Sequence, residues 1–134
     1  MITLDTSALF AILSSADEYH QPVSAFLETD PGPYWFPVSA MGELTYLVEH
    51  RLRPVSLIEL LANIEAGGFF LDCGENDIPR IRQLIQRYAG FPLGFVDAAV
   101  IACAERHGGR VLATDFRHFG AVARGGTITL PLLK

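Results

Sequence analysis

Short apolar runs alternate along this chain with longer stretches in which apolar residues recur at every third or fourth position. The short runs, bounded by turn residues, predict strands at 2–4, 34–36, 69–71, 111–113 and 127–130. The longer stretches predict helices at 8–13, 15–28, 39–52, 56–66, 78–88 and 95–107. Strands that alternate with helices of this length are typical of an α/β fold, in which a short, mostly parallel sheet is flanked by helices on both faces.

Local signals mark several helix boundaries. The Asp-Thr-Ser segment at 5–7 follows the first strand and is typical of a helix N-cap. Ser56, with Glu59 three residues later, predicts a capping box. Glycine pairs at 67–68 and 108–109 predict helix ends. With 134 residues and no internal repeat, the chain is expected to form a single domain over 1–134.

Composition excludes several classes of protein. A chain that is 50% apolar and 19% charged is neither disordered nor collagen-like. The longest purely apolar stretch, 98–104, is far shorter than the ~20 residues that a membrane span needs. The first residues lack the basic region of a signal peptide. Cys73 and Cys103 are expected to be buried free thiols in a reducing compartment, which indicates a cytoplasmic protein.

Charge is distributed unevenly along the chain. The net charge is -5, which on its own argues against binding to nucleic acid. Residues 1–75 contain eleven acids and two arginines, whereas residues 76–134 contain four acids against seven arginines and one lysine. The net charge of residues 76–134 is therefore +4. Most of this positive charge comes from arginine, which is suited to contacts with phosphate.

Four acidic residues occupy positions that a solvated surface does not explain. Asp5 and Asp115 each follow a predicted strand, so both should lie at the same edge of the sheet, where ligands bind in this class of fold. Glu43 lies near the start of a predicted helix, and Asp97 lies within the most apolar stretch of the chain. A carboxylate in such a stretch is costly unless it is paired, hydrogen-bonded or bound to metal.

Each of these acids also has a simpler interpretation. Asp5 and Asp115 are suited to be helix N-caps, and Glu43 to be a first-turn acid favoured by the helix dipole. Asp97 lies close enough to a helix start to cap it partially. One shared site explains the four together better than four separate caps. Carboxylates that converge select a hard cation, Mg²⁺ or Mn²⁺, which binds phosphate and activates water without a side-chain nucleophile.

Four segments resemble, in order and spacing, the acidic motifs of PIN-domain ribonucleases. These segments are ITLDTSAL at 2–9, GEL at 42–44, GFVDAAV at 94–100 and ATDFRHF at 113–119. The resemblance extends over essentially the whole chain. Its compact length and lack of appended domains are most similar to VapC-type toxins of prokaryotic toxin–antitoxin pairs.

This resemblance implies a three-layer PIN-like fold and an endoribonuclease that depends on one or two Mg²⁺ or Mn²⁺ ions. It implies Asp5, Glu43, Asp97 and Asp115 as catalytic residues, with the three aspartates as metal ligands. It also implies that Thr6, Ser7 and Thr114 support these ligands. It further implies a cognate antitoxin that blocks the site, an RNA substrate and a homodimer.

Basic residues of the second part are candidates for RNA contacts. Arg117 and His118 directly follow Asp115, and Arg80 and Arg82 lie on the predicted helix at 78–88. For each, an ordinary exposed helix face is the alternative.

Two other functions remain open at this stage. One is a solitary PIN nuclease in RNA processing, and the other is a non-catalytic PIN-like module that binds protein. A receiver-like domain is excluded because the only lysine is the last residue, Lys134. A phosphate-binding loop is excluded because the chain has no Gly-Lys-Ser/Thr segment.

Overall fold

Four parallel strands form one sheet at the centre of the computed structural model, which describes residues 1–133. The strands are β1 (Ile2–Leu4), β2 (Tyr34–Pro37), β3 (Phe70–Asp72) and β4 (Val111–Leu112). Their order is β3-β2-β1-β4, and every pairing is parallel. All three residues of β1 are buried, because this strand has neighbours at both edges and helices on both faces.

Seven α-helices cover the sheet of the described chain. They are α1 (Thr6–Leu13), α2 (His20–Thr29), α3 (Met41–Arg51), α4 (Pro54–Glu65), α5 (Ile78–Arg87), α6 (Phe95–Arg106) and α7 (Phe116–Arg124). One apolar core packs α5, α6 and α7, and a second packs α1 to α4. Val111 belongs to the first core and Leu112 to the second. Since successive strand residues face opposite sides, the cores lie on opposite faces of the sheet. The predicted three-layer α/β architecture is confirmed.

The second helix begins later than the hydrophobic pattern predicts. Instead of starting at residue 15, α2 starts at His20. The Asp17 N–H donates to the Ser14 carbonyl at 3.0 Å, and the Asp17 carboxylate accepts from the Tyr19 N–H at 2.9 Å. An aspartate that bonds to neighbouring backbone in this way holds the chain in a turn rather than a helix.

The capping box predicted for Ser56 and Glu59 is wrong. Helix α4 begins at Pro54, with Arg53 as the N-cap residue. Proline is favoured at the first helical position because its fixed φ suits the helix and its missing N–H is not needed there. Ser56 therefore lies inside the first turn.

The predicted strand at 127–130 shrinks to a single parallel bridge between Arg110 and Thr129. The turn beside it requires glycine at position 109, which has a φ of 83° and where a Cβ would lie 3.0 Å from the Thr127 carbonyl oxygen. Helix α7 lies just before this segment, where the pattern predicted no element.

The two cysteines differ from each other in exposure. Cys103 is buried as expected, but Cys73 is exposed, so that prediction is wrong for Cys73. Cys73 directly follows β3, an edge strand, and has left the sheet before a helix can cover it. Within residues 1–133, no helix is long and apolar enough to cross a membrane.

Candidate active site

The four acids singled out in the sequence line one cleft. Asp5, Glu43, Asp97 and Asp115 surround a cavity of about 450 Å³ at the carboxyl ends of β1 and β4. Each comes from a different connection in the chain, and the parallel sheet brings these connections to one edge. This convergence is what a shared site requires, and it was not visible in any single motif.

Asp5 is the most deeply buried of the four, at 6% exposure. It is the N-cap of α1, and its Oδ2 accepts hydrogen bonds from the Ser7 backbone N–H at 3.1 Å and from the Ser7 hydroxyl at 2.6 Å. Burial raises the pKa of Asp5 to about 6, against the lowering effect of the two Ser7 bonds. Repulsion from Asp97 and Glu43 raises this pKa further.

Asp97 lies in the first turn of α6 and has two neighbours of different kinds. Its Oδ2 accepts a hydrogen bond from the Gly94 N–H at 3.2 Å, so it caps the helix in part. Its Oδ1 lies 3.3 Å from Nδ1 of His118. The cap therefore accounts for one carboxylate oxygen, while the other faces the cleft.

Asp115 is the N-cap of α7 and accepts a hydrogen bond from the Arg117 N–H at 3.3 Å. Its other oxygen, Oδ2, lies 3.6 Å from Nδ1 of His118. Glu43 is exposed and reaches the cleft from the first turn of α3. The capping interpretation is thus correct for Asp5 and Asp115, but capping has not prevented these carboxylates from facing a common cavity.

Ser7 connects the two ends of the cleft. Its hydroxyl donates to Asp5 and accepts from the Thr114 N–H at 3.0 Å, which ties the β1–α1 junction to the β4–α7 junction. Thr6 also lines the cleft, and its buried Oγ1 has no hydrogen-bond partner among the described residues. Buried polar atoms are rarely left unpaired in folded proteins, so this hydroxyl lacks the partner that such an atom usually has.

Replacing Ser7 by alanine should lower the free energy of unfolding by about 1–3 kcal/mol, because the Thr114 N–H loses its acceptor and Asp5 loses a donor. Thermal or urea unfolding measures this difference. Ser39→Ala, at an exposed serine of the 3₁₀ turn before α3, is the matched control, and its unfolding should stay within about 0.5 kcal/mol of wild type. Equal losses in the two variants would contradict the bridging role.

His118 takes a position that the sequence does not reveal. It was a candidate for RNA contact, and the structure places its ring between Asp97 and Asp115 at the wall of the cleft. His118 and Asp115 are three residues apart at the start of α7, whereas Asp97 on α6 joins them only through the packing of the two helices. The adjacent Arg117 projects into solvent at the rim, with 84% of its side chain exposed.

The other two arginine candidates lie away from the cleft. Arg80 forms a two-pronged ion pair with Glu105, with both N–O distances at 2.7 Å, and this pairing raises the pKa of the Arg80 guanidinium. Arg82 is exposed and donates to Gln86 at 3.1 Å on the same helix. Neither residue lines the acidic cavity. Their proposed contact with RNA remains a prediction.

The fold and this acidic cleft define a class of protein, and comparison with known proteins agrees. The PIN domain family model matches residues 2–125. The chain therefore belongs to the PIN domain family, and the resemblance to VapC-type proteins noted in the sequence is confirmed. It is similar to ribonuclease VapC26 of Mycobacterium tuberculosis, with 30% identity over 131 residues that cover 95% of this chain and 97% of that protein.

Two solved structures share the fold. The first is the crystal structure of Mycobacterium tuberculosis VapC20, described as a sarcin-ricin loop cleaving toxin, with a TM-score of 0.80 and 20% identity over 90% of this chain and 95% of that chain. The second is FitAcB from Neisseria gonorrhoeae, with a TM-score of 0.65 and 21% identity over 97% of this chain and 96% of that chain. At this identity, both comparisons support the fold.

Proposed function

We propose that this chain is a single-domain, metal-dependent endoribonuclease and the toxin of a toxin–antitoxin pair. RNA phosphodiester bonds are hydrolysed in the cleft formed by Asp5, Glu43, Asp97 and Asp115. The observation that carries the proposal is the convergence of these four carboxylates on one cavity in a PIN-family chain. The names of the similar proteins, a ribonuclease and an RNA-cleaving toxin, support the same activity here.

The chemistry of the donor set fits a hard divalent cation. All four acidic side chains offer carboxylate oxygens, which suit Mg²⁺ or Mn²⁺ rather than zinc. The raised pKa of Asp5 and the unpaired Thr6 hydroxyl are both expected where a positive ion and its water belong. Asp5, Asp97 and Asp115 would hold one or two ions, with Glu43 at the mouth of the cleft.

The protein's own residues position the reaction. When bound, the ion supplies Lewis acidity toward water and toward the scissile phosphate. Ser7 fixes the orientation of Asp5, and the Gly94 N–H fixes that of Asp97, so that neither carboxylate has to reorganise. Arg117 at the rim offers a positive charge to an RNA phosphate beside the cleft.

The overall negative charge is compatible with an RNA substrate. Four of the fifteen acids belong to the cleft, and each bound divalent cation offsets two negative charges. Seven of the nine arginines lie in residues 76–134, which also contain Asp97 and Asp115. Phosphate is thus attracted locally although the chain as a whole is acidic.

A toxin of this kind requires a partner that restrains it. We therefore expect a cognate antitoxin protein that blocks the cleft, and a homodimer as the assembled form. A short reading frame that ends immediately upstream of this gene or overlaps it would favour the toxin–antitoxin arrangement over a solitary nuclease in RNA processing.

Cleavage of a structured RNA by the purified protein tests the proposed activity. The protein should cut the RNA with Mn²⁺ or Mg²⁺ present and should stop when EDTA removes the metal. A non-catalytic PIN-like module predicts no cleavage under any of the three conditions. Mapping of cut sites in cellular RNA after induced expression would then identify the target.

Millimolar Mn²⁺ should raise the melting temperature of the protein. A ligand that binds only the native state adds RT ln(1 + [L]/Kd) to the free energy of unfolding, which is about 2.7 kcal/mol when the ligand concentration is a hundred times Kd. In the Asp97→Asn variant, the same addition should give a much smaller rise. A melting temperature that Mn²⁺ leaves unchanged, together with a more stable Asp97→Asn variant, would identify the acids as helix caps only.

A further inference from the structure

A second group of metal-ligating side chains lies between the sheet and α6, outside the acidic cleft. Thr3 on β1 is paired with Trp35 on β2, and Trp35 with Phe70 on β3. Directly paired residues share a face, and so does Asp72, two residues after Phe70. Asp72 therefore points toward the same side of the sheet as Thr3 and Trp35, which is the side covered by α6.

Helix α6 brings two further ligand types to this face. Cys103 and His107 are four residues apart, at the end of the helix, so their side chains project from the same side. Nε2 of His107 lies 2.8 Å from Oδ2 of Asp72, and Sγ of Cys103 lies 3.7 Å from Oγ1 of Thr3. One carboxylate oxygen, the sulfur and the imidazole nitrogen all lie within 4.8 Å of one another.

We propose that Asp72, Cys103 and His107 form a binding site for a thiophilic divalent cation, with Zn²⁺ as the best fit, separate from the acidic cleft. Sulfur, imidazole nitrogen and carboxylate oxygen are the three ligand types that zinc takes in proteins, and three protein ligands leave one position for water. Mg²⁺ and Mn²⁺ prefer oxygen ligands, so the two sites select different ions.

The surrounding residues already hold two of the ligands in place. The Trp35 ring stacks on the His107 ring at 4.2 Å between centroids and 11° between planes. The Arg106 guanidinium bonds both oxygens of Asp72 and both oxygens of Asp77. Partners of this kind orient metal ligands in natural sites and limit the reorganisation that binding requires.

The charges of the cluster balance with a divalent ion. Asp72, Asp77 and a Cys103 thiolate carry three negative charges, and Arg106 carries one positive charge, which leaves two for the cation to neutralise. Coordination releases the thiol proton of Cys103 to solvent and requires the His107 proton to be on Nδ1, so that Nε2 is free to bind.

One edge of the cluster, at Asp72, is close to solvent. Cys103 is buried, but the side chains of Asp72 and His107 are 10% and 17% exposed. A cleft of about 230 Å³, lined by residues 72–77 and Arg106, opens onto Asp72. A bound cation would link the C-terminal end of α6 to β3. Asp97 lies at the opposite, N-terminal end of the same helix.

Stepwise addition of Co²⁺ to the metal-free full-length protein tests the site, because cobalt reports its ligands by absorption. The wild type should show a thiolate-to-cobalt charge-transfer band that saturates at one equivalent, and Zn²⁺ should displace it. Cys103→Ser should lose this band, and His107→Gln should bind Co²⁺ at least about tenfold more weakly. Unfolding curves of both variants show whether they fold. If Cys103→Ser does not fold, the Co²⁺ affinity of His107→Gln alone tests the site.

Two control variants separate this site from the other candidates. Cys73→Ser removes the exposed thiol, and Asp97→Asn alters the acidic cleft; both should keep the charge-transfer band. Absence of the band in the wild type, loss of the band in Cys73→Ser, or unchanged Co²⁺ affinity in His107→Gln would overturn the proposal. None of these outcomes depends on whether the protein cleaves RNA.

Discussion

Replacing Asp97 by asparagine should slow RNA cleavage at least about 100-fold while leaving the fold intact. The side chain keeps its shape, and its amide oxygen can still accept the Gly94 N–H bond that caps α6. What the variant loses is the negative charge that faces the cleft. Removal of a group that merely supports a metal ligand costs 10- to 100-fold in many enzymes, so loss of a ligand charge should cost at least as much.

The rate of cleavage of one defined RNA, measured for both proteins at saturating Mn²⁺, gives this ratio. Glu105→Gln is a suitable control, since Glu105 lies on the same helix but pairs with Arg80 away from the cleft. Its cleavage rate should remain within about twofold of wild type. If Asp97→Asn and wild type cleave equally, the acidic cleft is not the site of catalysis.

Replacing Asp5 by asparagine should stabilise the metal-free protein at neutral pH while abolishing its activity. Burial raises the pKa of Asp5 to about 6 in the folded state from 3.8 in the unfolded chain. Between these two pH values the native state binds the extra proton, so its stability falls as pH rises through this window and stays lower above it. A pKa difference of about 2 units corresponds to a cost on the order of 3 kcal/mol at pH 7.

The asparagine variant avoids this cost, because its amide oxygen can accept the Ser7 bonds without carrying a charge. In EDTA at pH 7 or above, we expect Asp5→Asn to melt on the order of 5–10 °C above wild type. At pH 4, where wild-type Asp5 is mostly protonated when folded, the difference should nearly vanish. Thermal unfolding of both proteins at the two pH values makes the comparison, and titrating groups that do not interact with Asp5 cancel in it. The same difference at both pH values would show that charge burial is not its cause.

This stability effect and the loss of activity have one origin. A carboxylate that is costly to bury in the absence of a cation is also one that a cation stabilises strongly. Added Mn²⁺ should therefore reduce or reverse the advantage of Asp5→Asn over wild type.

The sequence predicted the parts of the fold and site that depend on neighbouring residues. The first strand and the N-cap at Asp5 are local features, since a short apolar run followed by Asp-Thr-Ser suffices to specify them. The edge on which Asp5 and Asp115 meet follows from strand direction alone. The sequence predicted a helix N-cap at Asp115 but not the extent of α7, which contains Gly120, a residue that weakens helices.

Contacts between distant elements could not be predicted in the same way. The position of His118 between Asp97 and Asp115 depends on how α7 packs against α6. The ion pair between Arg80 and Glu105 joins α5 to α6, and the sequence gives no sign that these two residues are partners. One part of the proposed second metal site is visible in the sequence, since Cys103 and His107 are four residues apart on a predicted helix. Asp72 is distant in sequence, and only the packing of the sheet against this helix brings it close to them.

The Ser7 bridge has a consequence for motion in the cleft. The Asp5 N–H donates to the Leu112 carbonyl at 2.9 Å, and Thr114 is tied to Ser7, so the floor of the cleft consists of central-sheet backbone. Amide protons in such backbone exchange with solvent only when most of the domain opens. Asp5 thus belongs to the slowest-exchanging part of the protein. Asp115 and His118 instead lie at the start of α7, outside the sheet, although Phe119 of the same helix is fully buried in the core. We therefore expect the amide protons beside Asp5 to exchange more slowly than those in the first turn of α7.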